Sequence, residues 1–224
     1  MELAVHETPE ATAEAVASLT AEAITGAEDR FTLGFAGGST PRAAYLAMRG
    51  RVAGWGRVDG WLSDERWAPP DHPRSNGLMV SETLMGHTDG ALIRPPWSER
   101  GDPGFAAARY EADVRSILDG RPPDLILLGV GEDGHTASLF PGTSALGERE
   151  RWIVANRVPG QPEDRITATY PLLWAAERLV VLATGKAKAR ALRDSLKGGT
   201  PAGRIGEGRA RVEWHVDAAA ASLL

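Results

Sequence analysis

The sequence predicts an α/β fold, a mainly parallel sheet with helices on both faces. Short apolar runs bounded by glycine, proline or acidic residues recur along the chain, residues 125–128 (LILL) being the most uniform. Such a run, apolar toward both sides, suits a strand buried in a parallel sheet. Between these runs lie longer segments rich in Ala, Leu and Glu, residues that propagate helices. The two kinds alternate, as crossover helices between parallel strands require.

The elements follow in order. Thr8-Pro9-Glu10 opens a capped helix that runs to Thr25, since proline is favoured at the first helical position. Residues 31–35 read as a strand, and Thr40-Pro41 opens a helix through Met48. Residues 58–62 form a strand that stops at Ser63-Asp64-Glu65-Arg66, after which Pro69, Pro70 and Pro73 impose a loop. Residues 75–84 and 102–118 read as helices. Residues 152–155, 166–170, 179–183 and 212–216 can each supply a strand, with helices at 187–196 and 217–224. The proline-rich segment 94–103 is the best candidate boundary. One sheet would need elements on both sides of it, so a single domain over residues 1–224 is expected.

Composition narrows the function classes. The chain is 42% hydrophobic and 25% charged, ordinary for a globular protein. No apolar run approaches the ~20 residues of a bilayer span, and MELAVHETPE lacks the basic segment and apolar core of a secretory leader. No membrane partner is expected. The absence of cysteine excludes disulfides, thiolate metal sites and a cysteine nucleophile, and fits a reducing, cytoplasmic setting. A net charge of -5 leaves no basic footprint for nucleic acid. An anionic substrate would need a positive field built locally from a few placed Arg and Lys.

Three constellations carry chemistry. Gly34 to Pro41 (GFAGGSTP) joins a strand to a helix. Its glycines can bring backbone N–H groups close to an anion at a helix N-terminus, with Ser39 and Thr40 hydroxyls as donors. It can equally be a tight turn with Thr40 as N-cap. Asp64-Glu65-Arg66 ends a strand, followed by Asp71, His72, Ser75 and Asn76. A carboxylate there can accept a proton and Arg66 can clamp an anion, or the segment can be a solvated loop. The third is Asp133-Gly134-His135, delivered by the strand at 125–128 to the carboxyl edge where open α/β sheets bind ligands. His135 can take a proton from water, and Asp133 can orient or support the ring. Arg165 and Lys188 could meet phosphate at the same edge, or be ordinary surface charges.

Two tempting motifs fail. Residues 129–134 (GVGEDG) spell a dinucleotide fingerprint after a strand, but a pyrophosphate would sit against Glu132 and Asp133. Pro141-Gly142 also interrupt any long helix. No Gly-x-Ser-x-Gly elbow exists, and none of the five histidines joins a dense metal set. No metal or other cofactor is expected.

Taken together, GGSTP at 37–41, DER at 64–66 with Ser75-Asn76, GxGEDGHTASLFPGT at 129–143, and RIT at 165–167 with GKAK at 185–188 strongly resemble the 6-phosphogluconolactonase family, in the same order and across nearly the whole chain. The resemblance implies a Rossmann-like α/β fold shared with glucosamine-6-phosphate deaminase/isomerase. It also implies hydrolysis of 6-phospho-D-glucono-1,5-lactone to 6-phosphogluconate in the oxidative pentose phosphate pathway. By motif position it makes His135 the base that activates water, supported by Asp133. Gly38, Ser39, Thr40, Arg165 and Lys188 would bind the 6-phosphate, and Asp64 and Arg66 would line the sugar end. The implied partner is a small sugar phosphate lactone, handled by a chain that is monomeric or at most weakly self-associating.

Overall fold

The computed structural model describes residues 1–224. Its central sheet has seven strands in the order β1-β10-β9-β6-β2-β3-β5, where β1 is Glu2–His6, β2 Phe31–Phe35, β3 Val58–Leu62, β5 Ala91–Leu92, β6 Leu125–Gly129, β9 Arg178–Ala183 and β10 Arg211–Asp217. Every neighbouring pair is parallel. The carboxyl ends Phe35, Leu62, Gly129 and Ala183 therefore emerge on one edge. Helices α1 (Pro9–Gly26), α2 (Ser39–Met48), α3 (Asn76–Thr83), α4 (Pro103–Leu118), α5 (Tyr170–Ala175) and α6 (Ala189–Leu196) complete the fold. Strands from both sides of residues 94–103 interleave in the sheet. No helix is long and apolar enough to cross a membrane.

Local chemistry explains the boundaries. Thr8 caps α1 by accepting from the Ala11 N–H at 3.1 Å, with Pro9 at the first helical position. Asp102 does the same for α4 through the Phe105 N–H at 2.7 Å. In the middle of the sheet a Cβ on Gly34 would lie 2.8 Å from the Trp61 ring and 2.9 Å from Ile126, so glycine lets the buried indole lie against β2. Two buried tyrosines pin the strand ends that carry the site. The Tyr45 hydroxyl accepts from the Ala36 N–H and donates to the Ala36 carbonyl, both at 2.9 Å. Tyr110 treats Leu62 likewise, at 2.6 and 3.2 Å. Burial pushes both phenols above their ordinary range, and each hydroxyl is committed to the strand end it pins.

Several features depart from the sequence reading, the short edge strand β5 among them. The edge strand β1 was not expected; its outer residues Leu3 and Val5 stay exposed, and only pairing with β10 makes it a strand. A second, antiparallel sheet, β4-β8-β7, forms from β4 (Asp64–Arg66), β7 (Ile153–Asn156) and β8 (Arg165–Ala168). Ser63 joins the two sheets, its N–H donating to Phe35 O at 2.8 Å while its carbonyl accepts from Ala168 N at 2.7 Å. The expected strand at 166–170 stops at Ala168 because Pro171 starts α5. The expected helix at 217–224 does not form: Asp217 completes β10, and its carboxylate accepts from the N–H groups of Gly185 (3.0 Å) and Ala220 (2.7 Å), holding the tail in turns.

Candidate active site

The carboxyl edge opens into a cleft of about 320 Å³. Five chain crossings bring Gly38, Ser39, Thr40, Asp64, Arg66, His135, Arg165 and Lys188 to its walls. Asp133 does not line the cleft; it stands behind His135, hydrogen-bonded to Nδ1 at 2.5 Å. The backbone N–H of His135 also donates to this carboxylate, at 3.1 Å. With Nδ1 occupied by the Asp133 carboxylate, Nε2 is the ring nitrogen left free. The other face of the ring stacks on Phe140, with centroids 3.8 Å apart.

The turn that holds this pair is built on glycine. Gly131 N–H donates to His135 O at 2.8 Å, and Gly134, at φ +79°, closes the turn. A Cβ on Gly131 would fall 2.1 Å from His135 Nδ1 and 2.6 Å from Asp133 Oδ1. Gly131→Ala should therefore displace the pair and cost about 10²-fold in kcat, with the thermal midpoint nearly unchanged. A variant with wild-type kcat would show that the pair need not sit where it does. No α-helix starts at the end of β6; turns lead instead to a 3-10 turn at Ser144–Gly147, so the fingerprint at residues 129–134 lacks the helix N-terminus that dinucleotide binding uses.

The glycine loop resolves the alternative left open by its sequence. Thr40 does not cap α2: the N-cap is Gly38, at φ +108°, with no side-chain acceptor, and the Thr40 hydroxyl bonds that of Thr184 at 2.8 Å. The first N–H groups of α2 stay uncapped beside the cleft, a setting that favours an anion.

Arg66 and Arg165 lie directly opposite one another in the β4–β8 ladder. Like charges so placed repel. Arg165 is only 6% exposed, and burial, with Arg66 close by, holds its guanidinium below the ordinary arginine range. It donates to Glu163 O at 2.7 Å and Gln161 Oε1 at 3.1 Å, with the Glu163 carboxylate 3.7 Å away. Arg66 donates to Arg74 O, while its buried Nε has no partner. Two guanidiniums thus face one another across the ladder, and both line the same cleft as the uncapped start of α2.

Other polar residues sort themselves by contact. Glu65 turns inward and takes four donors, from Arg66 N and Asn76 N at 2.7 Å and from Ser75 Oγ and Gly77 N at 2.8 Å, sealing the start of α3. His72 accepts from Arg74 N at 3.2 Å and does not line the cleft. The sequence assigns no role at the site to Ser138, Gln161 or Phe140, and marks Asn76 only as part of the motif after Asp64-Glu65-Arg66; all four line the cleft. Ser138 and Phe140 lie inside the same motif as His135, but only the folded turn shows that they face the cleft.

A family model described as glucosamine-6-phosphate isomerases/6-phosphogluconolactonase matches residues 7–214. A 6-phosphogluconolactonase of Nostoc is 37% identical over 172 residues, covering 74% of this chain and 71% of that protein. The human 6-phosphogluconolactonase is 35% identical over 234 residues, covering 96% and 88%. A solved monomeric glucosamine-6-phosphate deaminase superposes with a TM-score of 0.85 at 25% identity over 100% of both chains, so the fold alone does not separate the two activities. On the family match and on identity sustained over most of both chains, this protein belongs to the glucosamine-6-phosphate isomerase/6-phosphogluconolactonase family.

Proposed function

We propose that this chain, as one domain and without a cofactor, hydrolyses 6-phospho-D-glucono-1,5-lactone to 6-phosphogluconate in the oxidative pentose phosphate pathway. The observation that carries the reading is the convergence of an Asp133-held His135 and the facing Arg66 and Arg165 in one cleft. Nε2 of His135 takes a proton from water as the oxygen attacks the lactone carbonyl. Collapse of the tetrahedral oxyanion breaks the bond from C1 to the ring oxygen, and the imidazolium returns the proton to that oxygen. Asp133 stabilises the imidazolium between the two transfers. Arg165, Lys188 and the Gly38, Ser39 and Thr40 loop hold the phosphate, with Arg66 beside them, so binding energy far from the carbonyl orients it. A strained cyclic ester needs no metal or covalent nucleophile.

The deaminase reading needs an acidic residue soon after the histidine. Residues 136–143 (TASLFPGT) contain none, and the relatives reported above at 35% and 37% identity are lactonases. Side-by-side turnover decides it: rapid hydrolysis of the phosphorylated lactone, unchanged by exhaustive chelation, with no ammonia release from glucosamine 6-phosphate. Ammonia release at a comparable rate would reverse the assignment, and activity that one divalent metal alone restores would replace the mechanism.

A further inference from the structure

The turn that carries Asp133 and His135 rests on a segment that lies outside the cleft. Asp133 is half exposed and lines a second hollow of about 520 Å³, shared with Lys197, Gly199 and Thr200. Most hydrogen bonds of the turn's backbone are internal: the Gly131 N–H donates to His135 O, the Gly134 N–H to Gly131 O at 3.0 Å, and the His135 N–H to Asp133. Only one ties the backbone of residues 131–135 to a distant part of the chain. It runs from the Ala202 N–H to Gly134 O, at 2.9 Å.

The same segment meets the α-carbon of Gly134. A Cβ there would fall 2.6 Å from both Cβ and Cγ2 of Thr200, so the missing side chain lets Thr200 lie directly against the turn. Thr200 is itself fastened. Its Oγ1 shares a hydrogen bond of 2.6 Å with Ser195 Oγ, in the last turn of α6, and accepts from the Gly203 N–H at 3.2 Å. Ser195 and Ala202 are fully buried. The N–H groups of Gly198 and Gly199 donate to Ser195 O and Asp194 O at 2.8 and 2.9 Å, folding residues 197–203 back onto the end of the helix. The Tyr170 hydroxyl donates to Pro201 O at 3.0 Å and holds the segment from its other side.

A general base works only where its ring meets the attacking water, and a displacement of about 1 Å can cost on the order of 10²-fold. Neither Thr200 nor Ser195 lines the cleft. Resting on the assignment of His135 as the base, we propose that Thr200 is a positioning residue for the reaction. Locked to Ser195 through its hydroxyl, it braces Gly134 and keeps the Ala202 N–H on the Gly134 carbonyl. The turn that aims Asp133 and His135 is thereby fixed from behind.

The test measures kcat and KM for wild type, Thr200→Val, Thr200→Ser and the double variant Ser195→Ala/Thr200→Val, with a thermal melt of each. Thr200→Val keeps the shape and loses the hydroxyl. It should lower kcat about tenfold with KM for the phosphorylated lactone changed by about twofold or less. The same loss of kcat should appear on unphosphorylated gluconolactone, because the turn serves the carbonyl and not the phosphate. Thr200→Ser keeps the hydroxyl and should recover kcat to within about threefold of wild type. The double variant guards against misfolding, since replacing both partners of a buried hydrogen bond by apolar groups is nearly neutral for stability. It should melt like wild type and keep the low kcat. Wild-type kcat in the folded double variant would overturn the role of Thr200. So would a rise in KM matching the fall in kcat, or a failure of Thr200→Ser to do better than Thr200→Val. Absence of lactone turnover by wild type would overturn the hydrolase reading and this role with it.

Discussion

His135→Ala is expected to lower kcat by about 10²- to 10⁴-fold, the range for loss of a positioned general base. The ring lines the cleft with Nδ1 held by Asp133, so its only free nitrogen is Nε2. Its backbone N–H and carbonyl anchor the turn independently of the side chain, through Asp133 Oδ1 at 3.1 Å and Gly131 N at 2.8 Å. The variant should therefore fold, and circular dichroism with a thermal melt checks this. Turnover is measured after subtracting spontaneous hydrolysis of the lactone. Near wild-type turnover by a folded variant would remove His135 from the mechanism.

Arg165→Ala is expected to raise KM for the phosphorylated lactone with a smaller change in kcat. Loss of one charge-assisted contact costs roughly 1.5 to 3 kcal/mol, on the order of 10- to 100-fold in affinity. Lys188→Ala should act in the same direction. Unphosphorylated gluconolactone, with no dianion to hold, should be affected far less by either change. Because Arg165 also ties down Gln161 and the Glu163 carbonyl, Arg165→Lys serves as a partner variant. It keeps the charge and loses the planar fork, so it should recover part of the affinity. Equal proportional losses in kcat/KM on both lactones would move Arg165 and Lys188 to a structural or general electrostatic role.

Much of the fold was legible because the central strand β6 is a uniformly apolar run and α1, α3 and α4 carry their own caps. Thr8, Ser75 and Asp102 each mark a helix start by a side-chain acceptor that needs no distant partner. The edge strand β1 was not legible, since five residues of which three are exposed and none is fully buried have no local signature. The C-terminal segment misled for the opposite reason. Its run of alanines favours a helix by propensity, while Asp217 is drawn into β10 and spends its carboxylate on Gly185 across the fold as well as on the nearby Ala220.

The sequence by itself determined the parallel α/β class, the absence of thiol chemistry, and the chemical kinds at the site: one histidine with a nearby acid, a glycine turn ahead of a helix, and a few cations in an acidic chain. Each follows from composition or from neighbours within a few residues. Only the tertiary structure decided which charges meet. Arg66 and Arg165 lie 99 positions apart, yet the antiparallel β4–β8 register sets them face to face. Asp64 and Ser138, 74 positions apart, meet at 2.6 Å because Ser63 turns the chain out of one sheet and into the other. Hydrogen bonds and charge repulsion act over a few ångströms of space, and separation along the chain says nothing about that distance until the sheets have formed.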